Sequence, residues 1–229
     1  RTTETEDLLI VQINPLRREG APSTAKDIMD RINEITFNSS LAAELRALAR
    51  THAAYRALVA PTLPGSHFGG DLLAHFAFDS AEQRDALGAA LAPLLAGDAV
   101  DGADYQGSPD GKQTPDLANG VYRVLLLSVD EDSDPESVAQ FETETRMMPH
   151  YIPAIRNWQL SRAVAAVGGR RWTHVWEQEY AGVEGLLGPY MMHPYHWARI
   201  DRWFDPECPE RIVDARLCHS FCALEASIL

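Results

Sequence analysis

The sequence is short of basic charge, of cysteine and of lysine, and each shortage removes a class of function. Twenty Lys and Arg face 33 Asp and Glu in 229 residues, a formal net charge of −13. A surface that negative repels phosphate backbones and anionic lipid headgroups, so no nucleic acid and no membrane is expected as a main partner. The three cysteines, Cys208, Cys218 and Cys222, cluster near the C-terminus. They are too few for a disulfide framework, and a reducing, cytoplasmic setting is expected. The only lysines are Lys26 and Lys112, neither in an apolar run, which disfavours Schiff-base chemistry. No stretch approaches the roughly 20 apolar residues that span a bilayer. The opening RTTETEDLLIVQINP lacks a basic region followed by a long apolar one, so no secretory leader is expected. There is no G-x-G-x-x-G, no P-loop and no G-x-S-x-G, which leaves nucleotide and α/β-hydrolase readings without their motifs.

What is present is enough apolar material for a core: 45% hydrophobic residues at a mean hydropathy of −0.23. Residues 97–120, rich in Gly, Asp and Pro, break the chain once. The expected division is a first unit over 1–100, a linker over 101–118 and a second unit over 119–229. Both halves show the same order of signals. β-branched runs open them, Leu8–Ile13 and Val121–Leu127. Helices follow, over Thr24–Ile35 and Leu41–Arg50 in the first half and Pro135–Met148 in the second, with Ser133 or Asp134 as cap. Then come paired strands around Gly-Gly turns, Tyr55–Ala60 with Leu72–Phe78 and Asn157–Ala163 with Trp172–Tyr180. A further helix closes each half, Ala81–Leu95 or Val183–Phe204, and a last strand is clear only at Arg211–Phe221. The order βαββαβ, twice, predicts an α+β protein of two ferredoxin-like units.

The second half carries Ile152-Pro-Ala-Ile-Arg-Asn-Trp158, Trp172-Thr-His-Val175 and Tyr190-Met-Met-His-Pro-Tyr-His196. In these segments it resembles the stress-responsive A/B barrel (Dabb) family, over nearly all of residues 119–222. The first half resembles a diverged copy without the His-Pro-x-His. In that family two ferredoxin-like units usually form one α+β barrel across a dimer. A tandem chain is then expected to build an intrachain barrel from its own halves, with association into a homodimer left open. Members of the olivetolic acid cyclase type close polyketide chains by aldol condensation without metal or organic cofactor. By position, that resemblance implies Tyr190 and His196 as catalytic residues and His174 beside them. It also places Arg123 where those enzymes have a histidine, so a permanent cation replaces a titratable ring.

On their own chemistry, Trp172, His174, Trp176, Gln178 and Tyr180 share one face of a period-two strand. That face suits either a ligand pocket with aromatic walls or a core with His174 satisfied by a neighbour. His193 and His196 are one helical turn apart, and Pro194 is tolerated in a first turn. A near-neutral imidazole at His196 can take and return a proton alpha to a carbonyl, giving an acidic limb at about pH 6 to 7. Tyr190 would hold the carbonyl or phenol oxygen, and Arg123 would meet either an anion or a buried acid. His193 reads as a pocket residue or a cap. A metal on His193 and His196, completed by Glu177, His174 or Asp201, is not demanded by the spacing, so no metal and no cofactor are expected. In the first half, His67 and His75 read as structural, with His75 turned into the barrel. The reading is a cofactor-independent lyase or cyclase acting on a small aromatic or polyketide-like substrate, with one pocket per chain in the second half. The alternative is a non-catalytic, small-ligand-binding barrel.

Overall fold

The structure, a computed structural model, describes residues 5–14, 39–95, 99–107 and 109–229. The first half runs β1 (Glu6–Asn14), a helix α1 over 39–51, β2 (Arg56–Pro61), β3 (Leu72–Phe78), α2 (Ala81–Leu94) and β4 (Ala99–Gly107). A short β5 (Gly111–Lys112) leads into β6 (Ala118–Leu127), α3 (Pro135–Tyr151), β7 (Ile155–Gly168), β8 (His174–Tyr180) and β9 (Cys218–Ala226). The expected helix over Thr24–Ile35 lies outside the described residues. Asp134 caps α3, its side chain accepting from the Ser137 amide, and Pro135 opens the helix where a missing N–H costs nothing.

The main strands run in the order β2-β3-β1-β4-β7-β8-β6-β9, and every pairing given for them is antiparallel. Each half therefore has the ferredoxin-like strand order, and β4 joins the first half to β7 of the second. The free edges β2 and β9 then meet. Thr62 bridges Cys222, and the His67 and His219 backbones exchange hydrogen bonds of 2.7 and 2.8 Å. These isolated bridges, made by residues just past β2, bring the sheet nearly to closure within one chain, without a second copy.

Three layers of core follow. The helices of the first half cover Leu9, Val11, Phe76 and Phe78, while α3 covers Leu125, Leu127, Trp176 and Tyr180 of the second. Between the sheets lies the barrel interior, with Leu8, Ile10, Tyr105, Tyr122, Val124 and Val175. The interior is also polar. Glu177, fully buried, accepts from Tyr122 Oη at 2.7 Å and Gln159 Nε2 at 2.8 Å, with His75 Nε2 at 3.2 Å. Glu179 accepts from Asn157 and Ser227 and from the backbone amides of Ile228 and Leu229, fastening the C-terminal tail. His75 thus faces the interior, as its alternation on β3 predicts.

Three expectations need correction. The supposed linker over 101–118 contains most of β4, a strand without apolar alternation because Gly102 must fit between neighbours. A Cβ there would lie 2.4 Å from the Ile10 carbonyl oxygen. The last strand is not Arg211–Phe221 but Cys218–Ala226; Asp214 accepts from the Arg216 amide at 2.7 Å and turns the chain first. The expected helix Val183–Phe204 is a series of short turns: Val183–Gly185, then the π-helical Leu186–Tyr190 and His196–Ile200, then Asp201–Trp203. Pro189 and Pro194 each remove an amide donor that a continuous helix needs.

Candidate functional site

A cavity of about 210 Å³ lies between α3, the turns over 186–204 and the outer face of β6, β8 and β9. Arg123, Leu125 and Leu127 project into it from β6, because alternate residues of a strand share a face. Trp176 comes from β8 and His219 from β9; these are the residues hydrogen-bonded neighbours place opposite Leu125. Helix α3 contributes Phe141, Thr145 and Met148, a stripe at helical spacing. The broken turns bring Tyr190 and His196 face to edge, their ring centroids 4.7 Å apart. A continuous helix would have held these two on a rigid rise; the interruptions fold the chain back over the sheet.

Arg123 sits at the centre and is 3% exposed. Its Nε donates to His219 Nε2 at 2.9 Å, and its Nη1 donates to Tyr190 Oη at 3.1 Å and to Gln178 Oε1. The guanidinium also lies over the Tyr190 ring, 4.7 Å from its centroid. Burial and then the Arg123 charge hold His196 down to about 4, and the same two causes hold His219 down to about 2. Both imidazoles are neutral at pH 7. Burial raises the Tyr190 hydroxyl against the opposing pull of Arg123, so it remains a proton donor.

Among the expected site residues, the cavity unites Arg123, Trp176, Tyr190 and His196. Gln178 stands behind them, accepting from Arg123 and from Tyr180 Oη at 2.9 Å. His174 is elsewhere. Its Nε2 lies 3.0 Å from Glu142 and its Nδ1 2.8 Å from Thr173 Oγ1, tying β8 to α3. It reaches the site only through Phe141, whose ring it meets edge-on at 5.8 Å. Trp172 precedes the ladder of β8 and so escapes its alternation, packing with the barrel interior rather than beside Trp176. His193 caps the turn that Pro194 opens, its Nδ1 accepting from the Tyr195 amide at 3.1 Å. An acidic limb at pH 6 to 7 does not fit an imidazole held near 4.

Sequence reasoning missed His219 and Thr145. His219 had a signal, the alternation Cys218, Ser220, Cys222 that sends the intervening residues outward; Thr145 had one too, a polar side chain on the apolar stripe of α3. Glu177 is turned into the barrel and His174 is held by Glu142, so neither completes a metal shell with His196. Among the described residues no three His, Cys, Asp or Glu side chains gather as metal ligands. The cavity is also smaller than the roughly 300 Å³ at which drug-sized pockets begin, too small for a haem. A wider cleft of about 870 Å³ borders α2, β1, β4 and the end of β7. Its Arg84 is already paired with Asp7 and Asp85, and the described residues of its lining include no histidine or tyrosine.

Comparison with known proteins follows the same division. Residues 121–214 match the Stress responsive A/B Barrel Domain family. No curated protein sequence matches the chain. Solved structures resemble it along nearly its whole length. An anthrone oxidase-like protein shares 9% identity at a TM-score of 0.54, covering 97% of this chain and 92% of its own. A candidate monooxygenase from Lactobacillus acidophilus NCFM shares 11% at 0.51, covering 99% and 100%. A chlorite dismutase mutant from Candidatus Nitrospira defluvii shares 10% at 0.51, covering 96% and 92%. Identities this low speak for the fold alone. The chain is thus a tandem of two ferredoxin-like units in one barrel, and residues 121–214 of its second half match the stress-responsive A/B barrel (Dabb) family.

Proposed function

We propose that the second-half cavity catalyses cofactor-independent carbon-acid chemistry of the aldol or retro-aldol type on a small, single-ring or polyketide-like carbonyl compound. The observation that carries this is His196: neutral at pH 7, its buried Nδ1 without a hydrogen-bond partner, and in ring contact with Tyr190. As base, Nδ1 takes the proton from the carbon alpha to the carbonyl, and the electron pair moves to the carbonyl oxygen as an enolate. The Tyr190 hydroxyl donates to that oxygen, and the fixed charge of Arg123 favours the negative charge where it develops. In the condensing direction the enolate carbon attacks a second carbonyl, and the imidazolium returns its proton to the new alkoxide. In the cleaving direction the same groups remove the hydroxyl proton and protonate the released carbanion. The order of bond changes is reversed, and the electron count closes without an oxidant. A homodimer would have to associate through the helical faces, because the sheet edges are used.

The test is deuterium exchange at the methyl group of acetophenone and of 4-acetylbenzoate in D₂O, followed by NMR. The protein should accelerate exchange, His196→Ala should abolish the acceleration, and Tyr190→Phe should slow it about tenfold or more. Equal exchange in all three would remove the catalytic reading. It would leave a ligand-binding barrel, the second reading, which the same unpartnered groups in the cavity favour.

A further inference from the structure

Arg123 is a buried cation on the wall of the cavity. Among the described residues no carboxylate lies within ion-pair distance of Arg123. Its three hydrogen-bond partners are the neutral Gln178, Tyr190 and His219, and Nη2 donates to none of the described residues. Elsewhere in the chain buried arginines are treated differently: Arg84 is held by Asp7 and Asp85. A guanidinium removed from water without a counter-ion is costly to bury. Among the described lining residues the one carboxylate is Asp201, whose Oδ1 stands 3.6 Å from His196 Nδ1 and outside ion-pair distance of Arg123. His196 and His219 are both neutral, and Tyr190 keeps its proton.

Three further polar atoms lining the same cavity are buried without a hydrogen-bond partner among the described residues: Thr145 Oγ1, Trp176 Nε1 and His196 Nδ1, the last with Asp201 Oδ1 at 3.6 Å. They come from three separate elements, α3, β8 and the turn at 196–200. Trp176 Nε1 can only donate, and Thr145 can do so. Unpaired buried polar groups are rare in folded proteins, and three around one empty volume call for a common partner. The remaining walls, Leu125, Leu127, Phe141 and Met148, are apolar and suit the flat body of a small ring.

We infer that the ground-state ligand of this cavity is a small organic monoanion, a single-ring or short-chain carboxylate or phenolate, whose charged oxygen sits on Arg123 with Trp176 and Thr145 as further donors. The inference rests on the cavity being the functional site proposed above. It goes further by fixing the charge of the ligand before any chemistry begins. The ring lies against Phe141 and Met148, while Tyr190, hydrogen-bonded to Arg123, and His196 beside it stand at the anion's own end of the cavity. A neutral ligand of the same shape would leave Arg123 unbalanced.

Isothermal titration calorimetry with benzoate and benzamide, which differ in charge but hardly in shape, tests this on the intact protein. Benzoate should bind one per chain with a dissociation constant of about 1 mM or below and at least about tenfold more tightly than benzamide. Arg123→Gln should remove the difference between the two ligands, and Thr145→Val should weaken benzoate alone. If Arg123→Gln does not fold, the benzoate–benzamide comparison on the wild-type protein still decides, as does weaker benzoate binding at high salt. Equal affinities, preference for benzamide, or failure of benzoate, phenolate and acetate to bind would each overturn the inference. Calorimetry reads affinity alone, so anion preference can hold while the deuterium-exchange test fails, and the two proposals stand or fall separately.

Discussion

His196 owes its neutrality to burial first and to Arg123 second, and that order sets what substitution can do. In the free protein the acidic limb of kcat/KM should lie near pH 4, where the imidazole gains its proton and stops acting as a base. Arg123→Gln removes the second cause and leaves the first, so the limb should move upward without reaching the ordinary histidine value. Tyr190, His219 and Asp201 also face His196; Asp201 Oδ1 lies 3.6 Å from its Nδ1. A bound anion offsets Arg123 much as the substitution does, so the limb of kcat should lie above that of kcat/KM. A limb unmoved by Arg123→Gln would separate the two residues functionally. The same depressed values govern stability. His196 and His219 titrate near 4 and 2 in the fold but near about 6.5 in an unfolded chain. Above that value they contribute nothing to pH dependence. Below it the unfolded chain takes up protons the fold refuses, so stability should fall as pH drops from about 6.5 toward 4. Urea midpoints across that range check the sign.

Elements are held in this barrel by polar ties as much as by apolar packing. Strand β8 presents Glu177 to the donors Tyr122 of β6 and Gln159 of β7, with His75 of β3 at 3.2 Å. Glu177→Ala should destabilise the protein by about 3 kcal/mol, since it strands two buried hydrogen-bond donors and opens a cavity. Chemical denaturation would register it, and a loss under about 1 kcal/mol would show that water replaces the carboxylate. The join between halves is equally specific. Gly168 has φ of +96°, and a Cβ there would lie 1.9 Å from the Val100 carbonyl oxygen. Gly168→Ala should therefore cost about 2 kcal/mol or more, through backbone strain and a broken β4–β7 pairing. A cost near zero would mean the end of β7 rearranges freely.

For the molecule as a whole, closure is the governing fact. Strand β7 pairs with β4 and β9 touches β2, so a fragment spanning only the second half would bare both edges. Such a fragment, residues 109–229, should associate with itself, a second copy taking the place of the first half. Sedimentation would show dimers or larger species; a stable monomer would mean the edges are protected by other means.

Much of this was written in the sequence. Apolar runs announced β1 and β6 to within two or three residues at their starts and β3 to the residue, and the cap at Asp134 announced α3, because these signals depend on neighbours a few residues away. The family resemblance pointed to Tyr190, His196 and Arg123 together, and the three line one cavity. The tertiary structure alone decided the rest. β4 is invisible to periodicity because Gly102 answers to Ile10 across the sheet. His174 leaves the site because Glu142 on α3 claims it, and Trp172 because the ladder of β8 starts after it. The collapse of a predicted helix into turns followed from prolines whose effect depends on what the chain packs against. Local pattern fixes which way a side chain points. Only the assembled barrel decides what it meets, and in this protein that is an arginine with no carboxylate at ion-pair distance among the described residues and three polar groups around one cavity.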